Sequence, residues 1–223
     1  MRALPPPGGT NLQEIKPQVS VPDLGGMCRD IREVRFVGDT LHLPDDLQRS
    51  IQSANVGRCL GVSDLEGILA TLTKSYIDRG YITTRVYLPA QDLRSGVLEV
   101  KVIEGKIERI DATGGREGAQ WIRGAFPASP GDLLNLRDIE QGLENLKRLP
   151  TADADIQIEP STDTTGRPAQ PGESDLVISY RRTTPVRISL SLDDSGTEST
   201  GKTQAGATVA WDGPLSLNDL AYI

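Results

Sequence analysis

The sequence of 223 residues is poor in the side chains on which metal sites and nucleophilic sites depend. It contains two cysteines, Cys28 and Cys59, and one histidine, His42. Protein zinc sites draw three or four ligands mostly from such residues, and a nucleophilic dyad needs a base that a third group orients. His42 has no second ligand or nucleophile near it in the sequence. We therefore expect no metal site, no cofactor and no enzymatic activity.

Large rings, long apolar runs and a basic excess are also scarce. Aromatic residues make up 4% of the chain, which favours two small cores over one large core. No run approaches 18 consecutive apolar residues, so no transmembrane helix is expected. The chain has 31 acidic and 24 basic residues and a net charge of −7, and its basic residues form no stripe. Binding to nucleic acid is therefore disfavoured.

A regular order of elements begins after residues 1–26, whose many prolines and glycines indicate a linker. Alternating apolar residues predict a strand over Ile31–Val37, and a short helix is expected over 44–53. Ser63–Glu66 resembles a capping box and predicts a helix that ends at Gly80. The β-branched and aromatic run Ile82–Leu88 and the alternating run Val97–Ile103 then predict a hairpin. The first module is thus β-α-α-β-β.

The same pattern occurs a second time. Leu60–Leu72 aligns without gaps on Leu134–Leu146, at an offset of 74 residues. Around the second copy, the sequence predicts strands over 107–111, 155–159 and 175–180, a helix over 135–149 and a short helix over 120–126. The fold class is therefore predicted to be α+β, with two tandem modules of one topology.

Beyond Pro185 the sequence predicts a different kind of hairpin. Apolar residues alternate with polar or small residues over 186–192 and again over 204–211. Each run has about the ten residues with which a tilted strand crosses a bilayer. An amphipathic hairpin of a soluble sheet shows the same alternation, and the pattern alone favours that interpretation over a membrane hairpin.

Two motifs suggest nucleotide binding and are interpreted otherwise. Gly196–Thr203 matches the P-loop expression GxxxxGK[ST], but that site needs a helix after the loop. Residues 204–211 have the period of a strand, so we expect a polar hairpin turn and no nucleotide binding. Gly114–Gly118 lacks the dinucleotide spacing and is expected to form a strand-to-helix turn. Asp193 and Asp194 are expected at a turn and not in a catalytic pair.

The spacing of the cysteines allows two interpretations. A Cys28–Cys59 bridge would close a loop of roughly 30 residues, contribute about 3 to 4 kcal/mol and imply an oxidising compartment. Two buried free thiols in a cytosolic protein fit the spacing equally well.

Two stretches resemble the two-partner secretion transporters of the hemolysin-activator type. Residues 80–93, with Gly96–Leu98 and Glu104–Ile107, are similar to the first POTRA module of that family. Residues 192–196, with Thr200, Gly201 and 212–219, are similar to its first barrel hairpin. The family's plug helix is not recognisable before the linker, and the sequence matches only the first strands of the barrel.

The resemblance implies a domain organisation and a location. It predicts a first POTRA module at 27–105, a second at 106–184, and the first hairpin of a truncated transmembrane β-barrel at 185–223. Each module would have a three-stranded sheet with two helices. The resemblance favours the Cys28–Cys59 disulfide. It places the modules in the periplasm of a Gram-negative bacterium and the barrel in outer-membrane lipid.

The resemblance also implies a function. The modules are expected to bind the secretion domain of a large exoprotein, such as an adhesin, hemolysin or contact-dependent toxin, in extended form and without nucleotide. The predicted contacts are an edge strand and the groove beside the preceding helix: Ile82, Thr83, Thr84, Arg85, Val86, Tyr87, Leu88, Leu69 and Tyr76. This stretch is expected to bind cargo rather than to transport it. The alternative is a POTRA scaffold in an envelope assembly complex.

Overall fold

The computed structural model describes residues 27–113, 122–162, 168–197, 201–215 and 219–223. The predicted linker and the Gly114–Gly118 turn lie outside these residues. The chain forms two compact units. One unit comprises the residues up to Ser75 together with Val86–Val102, and the other comprises Tyr76–Arg85 together with Ile103–Ile223. The predicted module boundary after residue 105 stays a prediction, because packing groups Tyr76–Arg85 with the second unit.

The first unit contains a mixed three-stranded sheet and two helices. In chain order its elements are β1 (Arg29–Ile31), β2 (Glu33–Gly38), α1 (Asp45–Asn55), β3 (Arg58–Leu60), α2 (Val62–Asp78), β4 (Arg85–Tyr87) and β5 (Val97–Ile103). The end of α2 from Tyr76, together with Arg85 and Ile103, falls in the second unit. The sheet order is β2-β5-β4, and β2 runs parallel to β5. The predicted strand over Ile31–Val37 is divided, because β1 pairs with β3 in a separate two-stranded sheet.

The start of α2 differs from the prediction. The helix includes Val62 and Ser63, so Ser63 is not its N-cap. The Leu65 amide donates to the Gly61 carbonyl at 3.1 Å, and the Gly61 amide donates to Asp64 Oδ2 at 2.9 Å. Asp64 therefore reaches back to the residue before the helix, as the third residue of a capping box does. The predicted N-cap, Ser63, lies two residues after Gly61, the residue that precedes the helix. Glycine also occurs at N-caps, although it has no side-chain oxygen.

The second unit repeats the topology of the first. Its elements are β6 (Lys106–Thr113), a helix α3 described at 122–125, α4 (Leu136–Leu146), β7 (Ala152–Pro160) and β8 (Glu173–Arg182). The sheet order is β6-β8-β7, with β6 parallel and β7 antiparallel to β8. Residues at equivalent positions of the repeat are buried in both units: Leu60 and Leu134, Leu65 and Ile139, Leu72 and Leu146. The tandem α+β prediction is confirmed.

The last strands form an antiparallel sheet of a different kind. Strand β9 (Val186–Asp193) pairs with β10 (Gln204–Asp212), which pairs with β11 (Leu220–Tyr222). Ile188 lies opposite Val209 and Leu190 opposite Ala207, so one face of the pair is apolar, and these side chains are largely exposed. A strand and no helix follows Lys202, which agrees with the interpretation of the P-loop match as a hairpin turn. Within the described ranges, no helix is long and apolar enough to cross a membrane.

Candidate functional site

The predicted binding strand of the first module is shorter than its sequence suggests. Only Arg85–Tyr87 forms β4, while Ile82 and Thr83 lie in the turn that follows α2. Thr84 and Leu88, on either side of the strand, are buried. The Thr84 amide donates to the Tyr81 carbonyl at 3.3 Å, so a turn continues up to the start of the strand. A partner strand could therefore pair with at most three residues here.

The two helix residues predicted to line the groove lie inside the protein. Leu69 and Tyr76 are each 1% exposed. The Tyr76 hydroxyl donates to Glu104 Oε1 at 3.1 Å, and the Arg79 guanidinium lies 4.9 Å from the centre of its ring. The α2 periodicity correctly placed both residues on one face, but that face is turned into the core. Their predicted contact with a partner would require the core to open.

The direction of the backbone groups of β4 can be worked out from its neighbours. Both the amide and the carbonyl of Glu99 bond to the side chain of Gln91, on the β4 side of β5. Backbone groups alternate in direction along a strand, so the amide and carbonyl of Lys101 also point toward β4. Tyr87 shares a face with Lys101, whose Nζ lies 6.0 Å from its ring. We infer that β4 runs antiparallel to β5, as the equivalent strand β7 does to β8. Since opposite residues of an antiparallel pair share a face, Tyr87 and Arg85 then bond inward. Val86 alone turns its amide and carbonyl outward.

The other edge of the first sheet is blocked at one backbone group. Strand β2 lies at that edge. Gln52 of α1 donates from its side-chain amide to the Val34 carbonyl at 3.1 Å. A side chain that occupies a backbone acceptor in this way blunts an edge strand. The hydrogen bond from Gln52 therefore removes one backbone acceptor from the β2 edge.

Strand β7 of the second unit is a much longer open edge. The Thr183 amide donates to the Thr151 carbonyl and the Ser161 amide to the Glu173 carbonyl, which places the odd-numbered residues of β7 in bonding contact with β8. Alternation then directs the amides and carbonyls of Ala154, Ile156 and Ile158 outward. No hydrogen-bond partner for these groups occurs in the part of the chain that the structure describes. Three residues with two groups each make six unpaired backbone groups.

The two faces of β7 have opposite character. Ala154 is buried, and Ile156 and Ile158 are half-buried against the core of the second unit. The other face carries exposed Asp153, Asp155, Gln157 and Glu159. The sequence predicts a strand over 155–159, but these residues were not among the predicted contacts. The run Ala-Asp-Ala-Asp-Ile-Gln-Ile-Glu carried the signal, since its strict alternation at the end of a small sheet is typical of a half-buried edge.

An ion pair joins β6 and β8 in the second sheet. Arg109 of β6 donates to Asp175 of β8, whose carboxylate is 6% exposed. The hydrogen bond from Arg109 holds the pKa of the Asp175 carboxyl below its usual range, although burial acts in the opposite direction. This pair crosses from β6 to β8 and leaves the free edge of β7 untouched.

The cysteines form the disulfide that the family resemblance favoured. Cys28 and Cys59 are bonded, with their Cα atoms 5.2 Å apart. The bridge lies beside the β1–β3 pair, where Asp30 is opposite Cys59. In the described part of the chain, no cluster of three or more histidine, cysteine or acidic side chains could hold a metal ion.

Three family models match successive parts of the chain. Residues 30–105 match the POTRA domain of ShlB type, residues 106–160 match a POTRA domain, and residues 172–223 match the haemolysin secretion/activation protein ShlB/FhaC/HecB. A solved structure of CdiB from Escherichia coli superposes with a TM-score of 0.76 at 34% identity, over 94% of this chain and 37% of that one.

Curated relatives are named as transporters. The chain is 41% identical to the outer membrane transporter CdiB-2 of Burkholderia pseudomallei, over 74% of this chain and 27% of the relative. It is 32% identical to the hemolysin transporter protein ShlB of Serratia marcescens, over 88% of this chain and 33% of the relative. The chain thus spans about a third of the length of the relatives it matches.

Proposed function

The chain belongs to the ShlB/FhaC/HecB family of two-partner secretion transporters, and from that premise we propose that it is the part that receives the exported protein. Its two POTRA modules lie in the periplasm and its last strands begin a barrel in the outer membrane. The modules bind the secretion domain of a partner exoprotein in extended form. Two of the relatives are named as hemolysin transporter proteins.

The observation that carries the proposal is the open edge of β7. An extended peptide that adds to a sheet forms backbone hydrogen bonds along the edge strand and places alternate side chains in pockets. The outward groups of Ala154, Ile156 and Ile158 offer this pairing. The half-buried side chains of Ile156 and Ile158 adjoin the core, so apolar residues at alternate positions of the partner would pack there.

The number of open groups makes β7 the stronger edge and β4 the weaker one. A backbone hydrogen bond contributes about 1 kcal/mol net, so six bonds give about 6 kcal/mol before the partner's ordering is counted. That corresponds to a dissociation constant in the tens of micromolar at best. Val86 alone would contribute about 2 kcal/mol at β4. Weak binding suits a carrier that must release each segment to the next site.

Neither nucleotide nor a catalytic step is needed for this function. The P-loop-like residues join β9 to β10, and β10 follows where a phosphate site would need a helix. The apolar face formed by Ile188, Leu190 and Val209 is suited to contact with lipid. We therefore propose a non-enzymatic binding role with lipid and the exoprotein as partners.

A pair of substitutions at Ile156 tests the proposal. Ile156→Pro removes an outward amide and leaves the ladder with β8 intact, since proline is tolerated on the free side of an edge strand. Ile156→Ala removes the same side chain and keeps the amide. We expect the proline variant to bind the unfolded secretion domain at least several-fold more weakly than the alanine variant, measured by titration of a fluorescently labelled domain. Equal affinities would refute pairing at β7.

The first module is tested in the same way at Val86. Val86→Pro and Val86→Ala differ in the one outward amide of β4, whereas proline at Arg85 would break the pairing with β5 itself. A smaller loss of affinity is expected here than at Ile156. Stable capture of other envelope proteins by the chain, with no affinity for the secretion domain, would favour the scaffold function instead.

A further inference from the structure

Asp212, the last residue of β10, is buried in a way that its strand does not explain. Most of β9 and β10 is exposed, whereas Asp212 is 0% exposed. A carboxylate removed from water is strongly unfavourable unless it is paired and hydrogen-bonded. The carboxylate is satisfied by Thr151, just before β7, and by Arg187 of β9.

Every polar group of Asp212 has a partner outside β10. Its Oδ2 accepts from the Thr151 hydroxyl at 2.8 Å, and its Oδ1 accepts from Arg187 of β9 at 2.9 Å. Its carbonyl accepts from Arg182 of β8 at 2.6 Å. Its amide donates to the Pro185 carbonyl at 2.8 Å.

Thr151 links this cluster to the open edge strand. It directly precedes β7, is 8% exposed, and its carbonyl accepts from both the amide and the hydroxyl of Thr183. Only residues 183–185 connect β8 to β9. A linker of three residues limits the distance between β8 and β9 but does not fix the angle between them. The Thr151–Asp212 hydrogen bond fastens β10 to the start of β7, and the Arg182–Asp212 bond fastens it to the end of β8, so together they restrict that freedom.

We propose that Asp212 is a positioning residue, which locks the first barrel strands to the start of β7 so that a chain paired with β7 always reaches the barrel wall in one register. The transport consequence rests on the proposed function, but the lock itself is a property of this chain. Its two measurable elements are the Asp212 carboxylate and the Thr151 hydroxyl, and each can be removed with little change in side-chain volume.

The lock is tested first without cargo. In the full-length protein, spin labels at Gln157→Cys on β7 and Ser189→Cys on β9 report the spread of distances between the two strands. We expect a narrow distribution in the parent, a broad one with Asp212→Asn or Thr151→Val, and a narrow one with Thr151→Ser, which keeps the hydroxyl. Asp194→Asn, an exposed carboxylate just after β9, is the matched control and should change nothing. A narrow distribution in both Asp212→Asn and Thr151→Val would overturn the proposal.

Measurements of secretion and of binding then distinguish a positioning role from a folding defect. We expect Thr151→Val to reach the outer membrane at the parental level and to bind the secretion domain normally, but to lower exoprotein release several-fold, because a chain paired with β7 would reach the barrel strands in more than one orientation. Thr151→Ser should restore release. Normal release from a variant with a broad distance distribution would overturn the transport role. If the parent fails to bind the secretion domain, the proposed function falls while the distance measurement still decides the lock.

Discussion

Removal of the disulfide should destabilise the first unit by an amount that its loop length sets. Cys28 and Cys59 are separated by 31 residues. In the chain-entropy description, a crosslink of this span restricts the unfolded chain by about 3 to 4 kcal/mol. The bridge supports a β1–β3 pair of only three residues per strand, which has little other stabilisation as a separate sheet.

The assay is urea unfolding of the Cys28→Ser/Cys59→Ser double variant. Amide exchange in β5 reports on the stability of the first unit. An m-value of about 1 to 3 kcal/mol/M converts the loss into a midpoint lower by about 1 to 4 M. The parent treated with reductant should match the double variant, and Arg58→Ala, an exposed neighbour of Cys59, should stay close to the parent. A midpoint within experimental error of the oxidised parent would refute the entropic reasoning.

Two further predictions concern the second unit. Gly142→Ala should lower the free energy of unfolding by about 1 to 3 kcal/mol, because the added Cβ would overlap the Phe126 ring. Gly124→Ala, where a Cβ meets nothing within 4 Å, is the control. Equal melting temperatures of the two variants would contradict the close packing of Gly142 against Phe126. The lowered pKa of Asp175 contributes stability that is full above the unfolded carboxyl value of about 4 and is lost as pH falls through the folded value. Asp175→Asn should therefore flatten the acid side of the plot of the free energy of unfolding against pH. An unchanged slope would show that the Arg109–Asp175 pair does not cause this pH dependence.

The tandem architecture could be predicted from sequence because its signals are local and occur twice. Apolar spacing placed Leu65 and Leu72 on one helix face, and the offset of 74 residues carried the same pattern to Ile139 and Leu146. Burial of all four residues follows from that periodicity. The disulfide was different, since spacing left it open and the family resemblance favoured it.

The open edges could not be predicted in the same way, because they depend on pairing register. A strand pattern distinguishes its two faces but does not say which backbone groups point to a neighbouring strand. Ile156 and Val86 became candidates only once the partners of Thr151 and Glu99 were known. Asp212 was even less accessible, since its burial depends on residues 25 to 61 positions away in the chain.

Amide exchange along β7 in the presence of the unfolded secretion domain shows directly whether a partner strand pairs with the open edge of β7. Pairing at the open edge predicts that the amides of Ala154, Ile156 and Ile158 gain protection. The amides of Asp155 and Gln157, already bonded to β8, should change little. Binding of the secretion domain with no added protection at the three outward amides would contradict the proposed function.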